Sequence, residues 1–470
     1  MSAEHWRASA SELARRIAGR EATSREVVEA HLDRIERLNP ALNAVTVVLA
    51  EEALAAADAA DRALAAGERI GPLHGVPFTV KENIDLAGSA TTQGVPAFAD
   101  LIPAADAPIV ERLRRAGAIP LGRTNMPDFG LRIHTSSTLR GLTRNPWHPQ
   151  RTAGGSSGGE AAAIAAGLSP LGLGNDIGGS LRNPAHCCGI ASLKPSTGRL
   201  PRVTAGPVED PPLSSQLMFV DGPMARHVED LGLVLSLIAG PHPRDPFAVP
   251  APLVGPPVGE RVRVAVLEDM PGATIAPGVA AAVRRAADAL ANAGFEVAAA
   301  TPPRVERAVE VWGAWLMNEL RPTLPLLASL MGADAVQVLD FFARRFPGVD
   351  VAGLVQLLAE RHAIARAWAE FQAGRPLLLW PVWTRTAFPH GSDVASEEDA
   401  LATFELMRPV LPANLLGLPA AVVPSAVVDG LPVGVQVIGP RFREDLCLDA
   451  AAAIESAVGR LTPIEPLTAA

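Results

Sequence analysis

Tyrosine is absent from all 470 residues, so no phenol can serve as catalytic acid, base or nucleophile. Cysteine is nearly absent: three residues, at 187, 188 and 447, two of them adjacent. That count and spacing match neither a disulfide framework nor a zinc-ligand pattern, and they suit a reducing, cytoplasmic compartment. Basic residues are outnumbered, 41 against 50, and the formal charge of −9 gives no overall attraction to nucleic acid or anionic lipid. A long uninterrupted apolar run is also missing. The longest uncharged stretch near the C-terminus, 409–428, contains Pro409, Pro412, Pro419 and Pro424. It reads as loop and buried strand rather than a membrane span. Glu4, Arg7, Glu12, Arg15 and Arg16 precede any apolar stretch, so no signal peptide is expected.

What is present is globular. Hydrophobic residues make up 48% and charged residues 19%, enough apolar material for a large core. The length is about three domains' worth at roughly 150 residues each. Ser9 with Glu12, and Thr23 with Glu26, have capping-box spacing, and the second helix is predicted to end before Pro40. An Ala-rich helix follows over 49–66. Val76, Phe78 and Val80 then alternate, predicting a strand that ends at Lys81. A helix over 109–117, a strand over 118–122 and a small-residue helix over 158–167 come next. Residues 260–300 read as strand, helix, strand, and 305–333 as helical. Strands are expected at 377–379, 420–423 and 433–438, and a last helix at 443–457. This alternation predicts an α/β fold with a mixed sheet. The Pro-rich 241–258 stretch reads as a linker.

The least ordinary segment is 151–198. It holds Gly154-Gly-Ser-Ser-Gly-Gly, then Asp176-Ile-Gly-Gly-Ser, then Leu193-Lys-Pro-Ser-Thr-Gly. Glycine density of this kind permits close backbone approach, and N–H groups leading into a serine can form an oxyanion hole. Three readings compete. A phosphate cradle lacks the Gly-Lys-Ser/Thr ending and a preceding strand. An α/β-hydrolase elbow fits Gly-x-Ser-x-Gly at both Ser156 and Ser157, with His390 available downstream, but a loop-like segment precedes the serines. A serine hydrolase with a lysine base makes Lys81 the residue of interest, because burial at a strand end lowers a lysine's pKa from about 10.4. Asp85 and Glu82 are close in sequence and would oppose that lowering. Alternation along the strand directs Glu82 away from Lys81.

Beyond these residues, the chain closely resembles the amidase signature family. The resemblance rests on Gly75 to Asp85, Gly122-Arg-Thr-Asn-Met, Asn145-Pro-Trp, 151–198, Gly222-Pro-Met, Gly417-Leu-Pro-Ala and Leu431 to Phe442, in family order. It implies one domain over 1–470, with core motif 75–200 and a central mixed, twisted sheet covered by helices on both sides. It implies a triad of Ser180 as nucleophile, Ser156 as a serine after a cis peptide, and Lys81 as base. The N–H groups of Ile177, Gly178, Gly179 and Ser180 would form the oxyanion hole. Asp176 and Arg182 would buttress the turn, and Ser157 would support the loop. The implied reaction is hydrolysis of a small-molecule carboxamide through an acyl-enzyme, with no cofactor and no metal. Esters, anilides and carbamates are further substrates of such a site, and relatives often form homodimers.

Variable segments around 125–137, 305–335 and 375–395 would build the acyl pocket, with Gly130, Leu131, Trp312, Trp315, Trp380 and Trp383 as candidate walls. The alternative within the family is the glutaminase component of a tRNA-dependent amidotransferase. That branch carries Ser-Ser-Leu-Asp-Gln before Gly-Pro, whereas this chain has Gln216-Leu-Met-Phe-Val-Asp before Gly222-Pro. His186 with Cys187 and Cys188 reads as buried packing, Lys194 as part of a structural turn, and Glu160 as a charge complement to a helix N-terminus.

Overall fold

A computed structural model describes residues 4–203, 211–267 and 269–467. Its spine is an 11-stranded sheet. In spatial order the strands are Val45–Val48, Ile119–Thr124, Pro77–Lys81, Leu171–Asp176, Val220–Ala225, Ala191–Lys194, Ala420–Val428, Leu431–Ile438, Leu377–Pro381, Arg263–Val266 and Glu296–Ala299. Pro77–Lys81 pairs in parallel with both neighbours, as does Arg263–Val266. The remaining pairs are antiparallel, so the sheet is mixed.

Strand alternation divides the core between two faces. Phe78, Val80, Leu171, Leu173, Val435 and Val437 pack on one side, under helices that include Ala10–Ala18, Val228–Ile238, Pro277–Asn292 and Glu444–Val458. Leu378, Trp380, Val422 and Ile438 face the other side, under Gly158–Ala165, Arg182–Cys188, Val305–Leu320 and Val351–Gly374. Because Phe78 and Val80 take the first face, Thr79 and Lys81 are delivered to the second. Among the described residues, no helix is long and apolar enough to cross a membrane.

Both expected N-caps form. Ser9 accepts from the Glu12 N–H, and Thr23 with Glu26 closes a capping box. Strand ends shift by a few residues, and three larger features differ from the sequence reading. The second helix runs through Pro40 to Leu42, where Asn43 ends it in the left-handed conformation. The Asn39 side chain accepts the N–H groups of Ala44 and Val45, which holds the last turn despite the missing proline donor. The 305–333 helix is broken after Leu320, where Pro322 opens a short turn. The Pro-rich 241–258 stretch does not separate two sheets, since strands before and after it share one. Arg199 ties it down by donating to the carbonyls of Ala251 and Pro252.

Candidate active site

Lys81 ends its strand fully buried, with Nζ 2.7 Å from Ser156 Oγ and 2.6 Å from Asn175 Oδ1. Burial disfavours the ammonium form and pushes its pKa down to about 7. Asp221, Asp176 and Glu160 oppose that shift without cancelling it. Glu82 does face away, as alternation predicts. Its carboxylate accepts from Thr46 Oγ1 at 2.5 Å, from Thr92, and from Arg140 Nε at 3.0 Å.

Ser156 follows a cis peptide from Gly155. The loop around it is pressed against another backbone segment. A Cβ on Gly155 would lie 2.5 Å from the carbonyl carbon of Ile133 and 2.6 Å from Arg132 O, so no side chain fits there. Ser157 spans the gap to the neighbouring turn: its N–H donates to Ser180 O (3.3 Å) and its Oγ to Asn175 O (3.4 Å).

The turn that carries Ser180 is built on Asp176. Its carboxylate accepts the N–H groups of Gly179 (2.7 Å) and Leu181 (3.2 Å). It also receives a bidentate pair from Arg182, Nε at 3.0 Å and Nη2 at 3.1 Å. Burial alone would raise the Asp176 pKa, but the Arg182 guanidinium overrides it and holds it at about 2. Arg182 in turn donates to Val410 O, Gln436 Oε1 and Asn414 Oδ1, so the buried pair is fully satisfied. Gly179 has φ +95°, a conformation that disfavours a side chain. The Gly179 N–H is therefore committed to Asp176, which takes it out of the expected set of four oxyanion donors. Ile177, Gly178 and Ser180 direct their N–H groups to no acceptor among the described residues.

Ser180 opens onto a largely apolar cavity. Gly130, Leu131, Ile177, Gly178 and Trp312 line it next to the serine, and Leu316, Leu339, Phe341, Phe404 and Met407 continue the wall. Arg132 and Asp393 also line it, joined as a buried bidentate pair at 2.8 and 3.0 Å. Of the four candidate tryptophans, Trp312 alone reaches this wall, its Nε1 bonded to Ile177 O (2.9 Å). The pocket expectation for the other three is corrected. Trp315 is sealed in the helical layer and donates to Glu319. Trp380 packs edge-on against Trp368, and Trp383 stacks on Phe388 and donates to Asn183.

Glu160 does more than complement a helix end. Fully buried, it accepts from Thr79 and from Thr124 Oγ1 (2.7 Å), pinning helix Gly158–Ala165 to two strands. Desolvation raises its pKa to about 7. Lys194 is equally buried but donates to Pro195 O (2.9 Å), away from the serines. His186 Nδ1 accepts the Gly434 N–H (3.1 Å) and its Nε2 donates to Arg385 O (3.0 Å), and Cys187, Cys188 and Cys447 are buried free thiols. His134 Nε2 lies 3.0 Å from His390 Nδ1, and His390 Nε2 lies 3.0 Å from Pro149 O. Neither ring hydrogen-bonds to Lys81, Ser156 or Ser180. His134→Ala and His390→Ala are each expected to keep at least about a tenth of the wild-type rate, because general-base loss costs ~100-fold or more. A loss of that size on mutating His390 would restore the histidine-based reading.

Sequence reasoning missed Asn175 and Asp221, which lie beside Lys81, and the Arg132–Asp393 pair in the cavity wall. Asn175 was visible as a member of the Gly174-Asn-Asp run; the others carry no local signal.

The amidase family model matches residues 26–448. The chain belongs to the amidase family. Indoleacetamide hydrolase of Bradyrhizobium diazoefficiens is 42% identical over 97% of this chain and 87% of that protein. A glutamyl-tRNA(Gln) amidotransferase component of Acidothermus cellulolyticus is 34% identical over 96% of this chain and 94% of that one. Among solved structures, a 6-aminohexanoate cyclic dimer hydrolase with bound substrate superposes with a TM-score of 0.82 at 28% identity, over 97% of this chain and 98% of that chain. The 11-stranded sheet with helices on both faces is the amidase signature fold, and this amidase is a hydrolase of carbon–nitrogen amide bonds.

Proposed function

We propose that this amidase hydrolyses a neutral aryl-substituted carboxamide of the arylacetamide type, through an acyl-enzyme on Ser180. The observation that carries the chemistry is the buried Lys81 Nζ, 2.7 Å from Ser156 Oγ. With its pKa held near 7 by burial, Lys81 is substantially neutral at working pH and accepts the Ser156 proton. Ser156 takes the proton of Ser180 as Ser180 Oγ attacks the carbonyl carbon. The N–H groups of Ile177, Gly178 and Ser180 receive the developing oxyanion. Collapse breaks the C–N bond, and Ser156 returns a proton to the leaving nitrogen, releasing ammonia or an amine. Water then cleaves the acyl-enzyme by the same relay in reverse, freeing the carboxylic acid. No step calls for a metal or cofactor, and the buried free thiols suit a reducing, cytoplasmic setting.

The cavity supports the substrate class. Trp312, Phe341 and Phe404 offer an aromatic slot, with Met407 beside them. Its two arginines are both matched, Arg132 by Asp393 and Arg345 by Glu310 at 2.5 Å. The wall therefore favours an uncharged acyl group over the zwitterionic head of glutamine, and it agrees with likeness to the indoleacetamide hydrolase rather than to the amidotransferase component. Burying an aromatic group is worth about 1.5–3 kcal/mol, so kcat/KM for an arylacetamide should exceed that for acetamide by roughly 10- to 100-fold. A panel of primary amides, anilides, carbamates and glutamine tests this. Equal rates for acetamide and the aryl amides, or preference for glutamine, would overturn the substrate assignment.

A further inference from the structure

Lys81 can act as a base only if its lone pair, not one of its N–H bonds, faces Ser156. Something must therefore take an N–H and leave the lone pair free. Asn175 Oδ1, at 2.6 Å from Nζ, is an acceptor with no proton of its own. An amide can flip, which would present Nδ2 to the lysine and spoil the arrangement. Here its surroundings fix its sense. Asn175 Nδ2 donates to Asn83 Oδ1 at 2.7 Å, and the carboxylate of Asp221 stands directly across the ladder, where it favours the amide N–H side. Asp221 is the direct cross-strand partner of Asn175 in the antiparallel pair of Leu171–Asp176 with Val220–Ala225. Both residues are buried, so water does not compete for these bonds.

We propose that Asn175 and Asp221 are positioning residues: Asn175 orients the Lys81 amine toward Ser156, and Asp221 locks the Asn175 amide in the sense that makes this work. The proposal rests on the reading of Lys81 as the base. Asp221 also contributes charge. The acidic groups facing Lys81 are Asp221, Asp176 and Glu160; Asp176 is matched by Arg182, and Glu160 is held by Thr79 and Thr124. The charged groups facing Asp221 itself are Arg202, Lys81 and Asp85.

Steady-state kinetics across pH on Asn175→Ala, Asp221→Asn and Lys81→Ala test the proposal. Asn175→Ala should lower kcat by up to about 100-fold with KM little changed, as misplacement of a catalytic group does. Asp221→Asn keeps an acceptor oxygen but removes a negative charge near Lys81. Its acid limb should therefore move to lower pH, and its plateau kcat should fall several-fold, because a neutral amide at 221 can present either end and no longer holds Asn175 in one sense. That second variant carries the test if Asn175→Ala fails to fold. An unchanged kcat in Asn175→Ala, or an acid limb that stays in place in Asp221→Asn, would overturn the proposal. Lys81→Ala separates the two levels: if it is inactive while the others behave as wild type, the positioning role fails and the base assignment stands. If Lys81→Ala itself retains wild-type activity, the base assignment fails.

Discussion

Ser180→Ala is expected to abolish turnover and covalent labelling by a fluorophosphonate while leaving the fold intact. Ser180 sits where two requirements meet. Asp176 shapes the turn in front of it through the N–H groups of Gly179 and Leu181, and the cavity opens beside it. The methyl group of alanine retains the packing of the small side chain and removes the attacking oxygen. Loss of a serine nucleophile typically costs on the order of 10⁶-fold in kcat, which places the variant at the assay floor. Circular dichroism and the melting temperature should match wild type, since no described side-chain hydrogen bond of the fold runs through Ser180 Oγ. Labelling of Ser180→Ala at the wild-type rate would move the nucleophile elsewhere, with Ser156 and Ser157 next to be tested.

Lys81→Ala should lower kcat/KM by about 10²- to 10⁴-fold, the usual range for losing a general base. Its pH dependence is the sharper readout. As the proposed base, Lys81 would work in its neutral form, and desolvation pushes its pKa down to about 7. Protonation below that value removes the base, so wild-type kcat/KM should fall as pH drops through neutrality and rise toward a plateau on the alkaline side. The limb reports the free enzyme. In Lys81→Ala the limb should vanish from the residual activity. A flat wild-type profile between pH 6 and 9, or an acid limb that persists in Lys81→Ala, would mean that another group starts the proton transfer.

Much of this site was legible before any fold was known, because its parts are local. Val76, Phe78 and Val80 alternate up to Lys81, which implies burial of the strand and delivery of Thr79 and Lys81 to one face. The glycine runs mark two tight turns, each presenting a serine. Asn175 and Asp221 were different. Their meaning depends on strand order: Leu171–Asp176 lies between Pro77–Lys81 and Val220–Ala225, and no local pattern announces that neighbourhood. The tryptophans show the converse error. Trp380 lies within a strand whose alternation carries it into the layer beneath Trp368, and Trp383 stacks behind the site on Phe388, so large aromatics near variable segments became core. The helix Val351–Gly374 carries no continuous apolar stripe that would announce it in the sequence. Apolar residues such as Val351 and Val355 are exposed, while Leu357, Ile364 and Trp368 carry its buried contacts.

In the proposed mechanism the acyl group passes through Ser180 under the control of Lys81 and Ser156. Mass spectrometry after acid quench of the enzyme turning over an activated aryl ester or anilide tests it most directly. The account predicts an intact mass increased by one acyl group, mapping to the peptide that carries Ser180. Absence of any adduct when acylation is demonstrably faster than deacylation, or an adduct on Ser156 or Ser157 instead, would contradict it.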